Sequence, residues 1–281
     1  LPARSSNKTA EELCSNSTDA CVPPFKAIET RVRVASNHKM MACIVQKSMS
    51  SMLEALMCFL HDEKGFQAEG RQFAKEYVAP KFCKGKNEGN AVHRVKQIHR
   101  IRNVQKEDWK FLMITRDPVD RFLSGFVDLC IRQVHSSNPC NGCRTNLTCF
   151  VVTEYERMVK ESRSRPMERT FEDRHFFPQN WRCNLQREYK NFHFLRYASN
   201  PADGLLQELE PILVEQNVSN SSIDFIREQL MAGRTAHATV HSAARIFLET
   251  RLRSSPFLME HLVKMFFHDF KLFNYEFPPG F

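Results

Sequence analysis

Short apolar runs, polar turns and amphipathic stretches follow one another along this chain. Residues 31–35 and 41–46 are candidate strands. Leu53, Leu56, Met57 and Leu60 recur at helical spacing and predict a helix over 50–61. Segment 64–108 is basic and mixed. Within it Val92, Val95, Ile98 and Ile101 recur every three residues, which fits a helix or an irregular strand and turn. Residues 110–115 form an apolar run and predict a buried strand. Asp117 can cap a following helix with Pro118 in its first turn, running to about Ile131. The stretch 135–149 reads as a cysteine-dense loop, 150–161 as a helix, and 162–184 as a polar segment. Phe192 to Tyr197 predicts a strand, and helices are expected at roughly 203–215, 222–232, 240–252 and 256–270. Residues 1 to about 30 are polar and read as a stem or loosely pinned arm. Strand–helix alternation of this kind argues for an α/β domain with a parallel sheet.

Two strand-to-helix turns carry anion-binding chemistry. The first is Lys47-Ser48-Met49-Ser50-Ser51. A lysine at a strand's end, followed by hydroxyl residues that open a helix, surrounds an anion with one cation, O–H donors and backbone N–H groups. It is not the triphosphate-binding loop, which needs two glycines before its lysine. No glycine lies between Leu1 and Lys64, and this disfavours a nucleotide kinase. The second turn follows residues 110–115. Arg116 offers a planar fork, and Ser124, eight residues on, offers a hydroxyl. With a turn between them both can meet one phosphate. The plainer readings are a capped helix with an exposed Lys47, and Arg116 at the sheet edge with Ser124 packing as a small residue. Two such turns in one chain favour a ligand with phosphates at two separated points.

Composition narrows the setting. The chain has 281 residues, 42% hydrophobic and 26% charged, enough for an ordinary core. Its formal charge of +8 favours an anionic partner: nucleic acid, an acidic membrane, or an acidic glycan. Ten cysteines stand beside Asn-x-Ser/Thr sequons at Asn7, Asn16, Asn146, Asn217 and Asn220, which together argue for the secretory pathway and against nucleic acid. No apolar run approaches the ~20 residues that span a bilayer. The chain opens on Leu1-Pro2-Ala3-Arg4 with no visible signal peptide. We therefore expect a luminal domain whose signal or membrane anchor lies upstream. Cys140-x-x-Cys143 with Cys130 and Cys149 has a zinc-like density, but Asn146 inside the cluster is a sequon and no histidine has finger spacing. Disulfides are expected instead, with pairing left open, and Cys14 with Cys21 can tie the arm. Cys43 and Cys58, on buried elements, read as core thiols.

The two turns also carry a family resemblance. Lys47-Ser48-Met49-Ser50-Ser51 resembles the 5′-phosphosulfate loop of sulfotransferases, with Met49 where a glycine is usual. Arg116-Asp117-Pro118-x-x-Arg121-x-x-Ser124-Gly125 resembles their 3′-phosphate motif. With the His175-x-x-Pro178 segment and the closing Phe266–Phe273 run, the likeness covers about residues 35–275. It is to the Golgi carbohydrate sulfotransferases, the group of the chondroitin and HNK-1 enzymes, especially its nematode-type members. The resemblance implies a P-loop-like sulfotransferase fold over 31–281, with a central parallel sheet flanked by helices and a helical C-terminal part. It implies transfer of a sulfonate from 3′-phosphoadenosine 5′-phosphosulfate to a glycan hydroxyl, in chondroitin or a related glycosaminoglycan. The product nucleotide is 3′-phosphoadenosine 5′-phosphate, and no metal is required. It further implies a type II membrane protein of the Golgi lumen, or a secreted form, glycosylated and disulfide-bonded.

Site roles follow from the same resemblance. Lys47 would neutralise charge on the leaving phosphate, with Ser48, Met49, Ser50 and Ser51 around it. Arg116 and Ser124 would hold the 3′-phosphate. Arg234, in the run Arg234-Thr-Ala-His237-Ala-Thr239, would close over the phosphates, or else that run is a turn with a helix cap. The acceptor hydroxyl needs a base. His99, His93 and His175 are the candidates, with a glutamate as the alternative. The basic segment 94–102 is the candidate strip for an acidic glycan. Two rivals stand beside this reading: a sulfotransferase for protein tyrosine or a small alcohol, and a secreted heparin-binding module without activity.

Overall fold

The apolar runs assemble into one five-stranded sheet. Its strands are β1 (Val32–Ala35), β2 (Met40–Cys43), β3 (Glu88–Gly89), β4 (Lys110–Thr115) and β5 (Phe192–Arg196), ordered β3-β1-β2-β4-β5. The core trio β2, β4 and β5 is parallel, with Met41 opposite Phe111 and Phe111 opposite Phe192. β1 runs antiparallel to both β2 and β3, so the sheet is mixed at one side. β2 and all but the first residue of β4 are buried, which is why they read as unbroken apolar runs rather than alternating ones.

The computed structural model describes residues 8–15, 21–132, 139–163, 168–198, 200, 204–232 and 242–281. Contacts divide the chain into two units. The sheet unit comprises Ala27–Arg116 and Arg182–His237. Its core joins Met40, Ala42, Leu112 and Ile114 of the sheet to the helix Ser50–His61 and to the helices Leu205–Glu215 and Asn220–Ala232. Phe59, Phe66, Phe73 and Phe225 interlock there, ring centroids 4.7 to 6.5 Å apart.

The helical unit comprises Leu1–Lys26, Asp117–Trp181 and Ala238–Phe281. It holds the helices Pro118–Phe126, Leu147–Arg163, Ala243–Arg253 and Pro256–Leu272. The first continues as a π-helical turn, Val127–Arg132. The described part of the N-terminal arm is packed: Ala10 and Leu13 bury against Val263, and Val22 N donates to Lys264 O at 2.9 Å. Among the described residues no helix is long and apolar enough to cross a membrane.

All ten cysteines form disulfides: Cys14–Cys21, Cys43–Cys183, Cys58–Cys83, Cys130–Cys140 and Cys143–Cys149. Cys14 and Cys21 pair as expected. Cys43 and Cys58 correct the reading as core thiols. Each is buried, but each meets a partner brought to it by tertiary structure, Cys183 from 140 positions away and Cys83 from 25.

Candidate active site

Parallel pairing of β2 with β4 sets the geometry. It brings the chain leaving β2 and the chain leaving β4 to the same end of the sheet, the carboxyl end where open α/β sheets bind ligands. The Lys47 turn follows β2, and Arg116 directly follows β4. Arg116 is buried, 5% exposed, and its Nη1 donates to the Lys47 carbonyl at 3.0 Å. Its guanidinium lies over the Tyr197 ring, 4.2 Å from the centroid. The two cationic turns are thus joined by one hydrogen bond within the sheet unit.

The first turn leaves backbone donors open. Lys47 and Met49 both hold left-handed backbone, with φ of 66° and 54°. This conformation costs a side-chain-bearing residue roughly 1–2 kcal/mol. It explains why the resemblance expects a glycine at position 49. Met49 offsets part of the cost by packing its side chain against the core. As N-cap of the helix Ser50–His61 it offers no side-chain acceptor. The helix ladder starts with Leu53 N on Met49 O at 3.0 Å, so the N–H groups of Ser50, Ser51 and Met52 stand ahead of it. An uncapped N-terminal turn with its dipole's positive end outward favours a phosphate or sulfonate oxygen. Ser48 is buried and Lys47 half-buried beside it.

The second turn is built differently. Asp117 caps the helix Pro118–Phe126, its Oδ1 accepting from Asp120 N at 2.8 Å. Burial pushes the Asp117 carboxyl above its ordinary value, with the Asp120 carboxylate adding to the shift. Ser124 lies buried on that helix in the helical unit. Two other residues of the Arg116–Gly125 motif are structural. Arg121 is buried and donates to the carbonyls of His175 at 2.8 Å, Phe176 at 3.4 Å and Phe177 at 2.9 Å. Gly125 leaves room for the Phe176 ring, which a Cβ would meet at 2.8 Å. Asp269 then fixes the end of the same segment, accepting from Gln179 N at 2.8 Å and Asn180 N at 2.9 Å. The His175–Pro178 and Phe266–Phe273 segments therefore meet through Arg121 and Asp269, two buried ionisable side chains.

The three candidate bases are dispersed. His93 is exposed on the helix Val92–Ile98, and His99 is that helix's C-cap. The His99 ring packs on Trp109 at 5.2 Å, and burial holds its pKa below the ordinary histidine value. His175 belongs to the helical unit, where its Nδ1 lies 2.7 Å from the Phe171 carbonyl and its ring faces Phe171 at 4.4 Å. Lys96 of the basic strip is held by Glu188 at 3.2 Å. Arg234 and its run to Thr239 lie outside the described residues. Tyr197, the platform under Arg116, carries no sequence signal beyond an aromatic at a strand's end.

Similarity to known proteins gives the family. The model of the sulfotransferase family matches residues 30–276. Three relatives come from Caenorhabditis elegans. "Putative sulfotransferase vep-2" is 43% identical over 253 residues, 89% of this chain and 78% of that protein. "Uncharacterized protein C18B2.2" is 42% identical over 276 residues, 97% of this chain and 76% of its own. "Carbohydrate sulfotransferase chst-1" is 30% identical over 275 residues, 95% and 82% of the two chains. No solved structure matches the chain. From the strand that opens the sheet to the end of the C-terminal helix, the chain belongs to the sulfotransferase family.

Proposed function

We propose that the protein is a carbohydrate O-sulfotransferase of the secretory-pathway lumen, using 3′-phosphoadenosine 5′-phosphosulfate and an acidic glycan acceptor such as chondroitin. The observation that carries this reading is the hydrogen bond joining Arg116 to the Lys47 turn, at the carboxyl ends of two parallel strands. The donor set fits a bisphosphorylated nucleotide: one uncapped helix end with a lysine, and one arginine fork beside it. When bound, the nucleotide supplies the sulfonate. Lys47 then neutralises charge developing on the leaving phosphate oxygens, a fixed cation placed before the reaction begins. The N–H groups of Ser50 and Ser51 orient the same oxygens. Arg116 takes the 3′-phosphate. His99, His93 and His175 are the candidates for the base that accepts the hydroxyl proton. Five disulfides and a basic balance fit an oxidising lumen and an acidic polymer. The chst-1 relative supports a glycan acceptor.

The test is transfer of radiolabelled sulfonate over a panel of glycans, tyrosine peptides and small alcohols. The reading expects label in an acidic glycan. Label confined to peptide or alcohol would replace the acceptor class, and heparin binding without any transfer would replace the enzyme by a binding module.

A further inference from the structure

Three of the sequons fall among the described residues, at Asn146, Asn217 and Asn220, and all three asparagines are exposed. They differ in what holds them. Asn146 lies in the helical unit, inside the short loop closed by Cys143–Cys149, whose two ends are 6 positions apart. Asn217 and Asn220 lie in the sheet unit, and no cysteine occurs from Asn184 to Phe281.

The fold uses nearly every polar group of Asn146. Its N–H donates to Cys143 O at 2.9 Å, its carbonyl accepts from Phe150 N at 3.0 Å, and its Oδ1 accepts from Cys149 N at 3.1 Å. That last bond caps the helix Leu147–Arg163. The side-chain Nδ2 takes no part in this turn. A sugar carried on Nδ2 leaves Oδ1 where it is, so the cap and the modification are compatible. Attachment meets a harder constraint. The asparagine and the hydroxyl of Thr148, two residues on, must enter a transferring enzyme together. In the folded chain Leu147 between them is buried, 1% exposed, and Cys149 is bonded back to Cys143. The sequon is therefore within reach only before this turn closes. Closing so short a loop asks little chain entropy, so the bridge is a direct competitor.

We propose that Asn146 carries an N-linked glycan and that closure of Cys143–Cys149 limits the fraction of chains that acquire it. In the transfer, Nδ2 bonds to C1 of a lipid-pyrophosphate oligosaccharide. The C1–O bond breaks, the lipid pyrophosphate leaves with its electron pair, and Nδ2 gives up one proton. In the competing step the two thiols pass two electrons and two protons to a disulfide oxidant and are joined. The Asn217–Asn220 pair has no such competitor, and its modification is independent of oxidation. The proposal rests on the luminal reading above.

Glycopeptide mass spectrometry tests it on the full-length protein expressed in animal cells, with enzymatic deglycosylation in heavy-oxygen water marking each occupied asparagine. Occupancy at Asn146 is expected to rise in the Cys143→Ala, Cys149→Ala double variant; alanine is used because serine at 143 would create a sequon at Asn141. It is expected to rise equally in the parent chain when dithiothreitol is present during synthesis, a route that needs no substitution. Occupancy at the Asn217–Asn220 pair stays level in both. Asn146→Asp keeps a capping oxygen and is expected to lose one glycan step in gel mobility. An Asn146 left bare in every sample overturns the proposal, as does an occupancy indifferent to both bridge removal and reductant. A parallel rise at the pair overturns it too, because the bridge would then not be the competitor. Glycan at the pair but never at Asn146 sinks this proposal alone, whereas bare asparagines at all three positions sink the luminal reading with it.

Discussion

The two strand-to-helix turns present opposite solutions at a helix N-terminus. After β2, the helix Ser50–His61 begins without a side-chain cap, on backbone bent left-handed at Lys47 and Met49. After β4, the helix Pro118–Phe126 begins with the Asp117 carboxylate already seated on its first turn. The first end has donors to give away. The second has satisfied its own, so any anion held near it must be gripped by side chains, which is where a planar guanidinium outperforms an ammonium. The placement of lysine in one turn and arginine in the other follows from this difference.

Four substitutions break or sharpen the contrast. Lys47→Ala removes the fixed cation from the open turn. Turnover in the sulfonate-transfer assay is expected to fall on the order of 10²–10³-fold, as when one preorganised oxyanion donor is lost. Arg116→Lys keeps the charge but loses the fork, the stacking on Tyr197 and the geometry of the bond to Lys47. Affinity for 3′-phosphoadenosine 5′-phosphate, read by calorimetry, should drop about 10- to 100-fold, the worth of a charge-assisted contact. Met49→Ile keeps apolar bulk while placing a β-branched side chain on left-handed backbone. Denaturant midpoints should report a loss of about 1–2 kcal/mol.

Asp117 gives the smallest effect and a signed pH dependence. Asp117→Ala loses the cap and about 1 kcal/mol. Asp117→Asn keeps a capping oxygen without the charge. The folded carboxyl sits above its ordinary value because of burial, so its contribution is complete below pH 3.8 and declines as pH rises through the folded pKa. The asparagine variant should therefore gain on the parent across that window. Thermal midpoints measured from pH 3 upward, in steps of about one unit, check this; parallel curves would refute it.

Much of the scaffold was legible because burial on both faces leaves a plain signature. Residues 110–115 and 50–61 are a strand and a helix with the bounds their apolar spacing predicts. The period-three series 92, 95, 98, 101 shows where such reading fails. Three residues turn a helix by about 300°, so each step slips about 60° around the axis. Val92 and Val95 are buried, Ile98 is 73% exposed, and Ile101 returns to the interior only because Arg100 breaks the helix at φ 55°. Cys43 and Cys58 were misread because an apolar neighbourhood looks the same around a thiol and a disulfide. Lys47 and Arg116 could be found by residue type and spacing. The partners of Arg121 and Asp269 could not, since the carbonyls and N–H groups they meet lie in segments far away along the chain. The candidate histidines suffer the same limit: a ring's surroundings, such as Trp109 against His99, are set by tertiary structure.

The bond between Cys43 and Cys183 has a consequence for biosynthesis. Cys43 closes β2 just ahead of the Lys47 turn, while its partner emerges 140 positions later, after an entire helical insertion. A ribosome must extrude that whole intervening length before oxidation can clamp the strand that leads into the turn. Locking of the strand that leads into the Lys47 turn is thereby a late event in the synthesis of the chain.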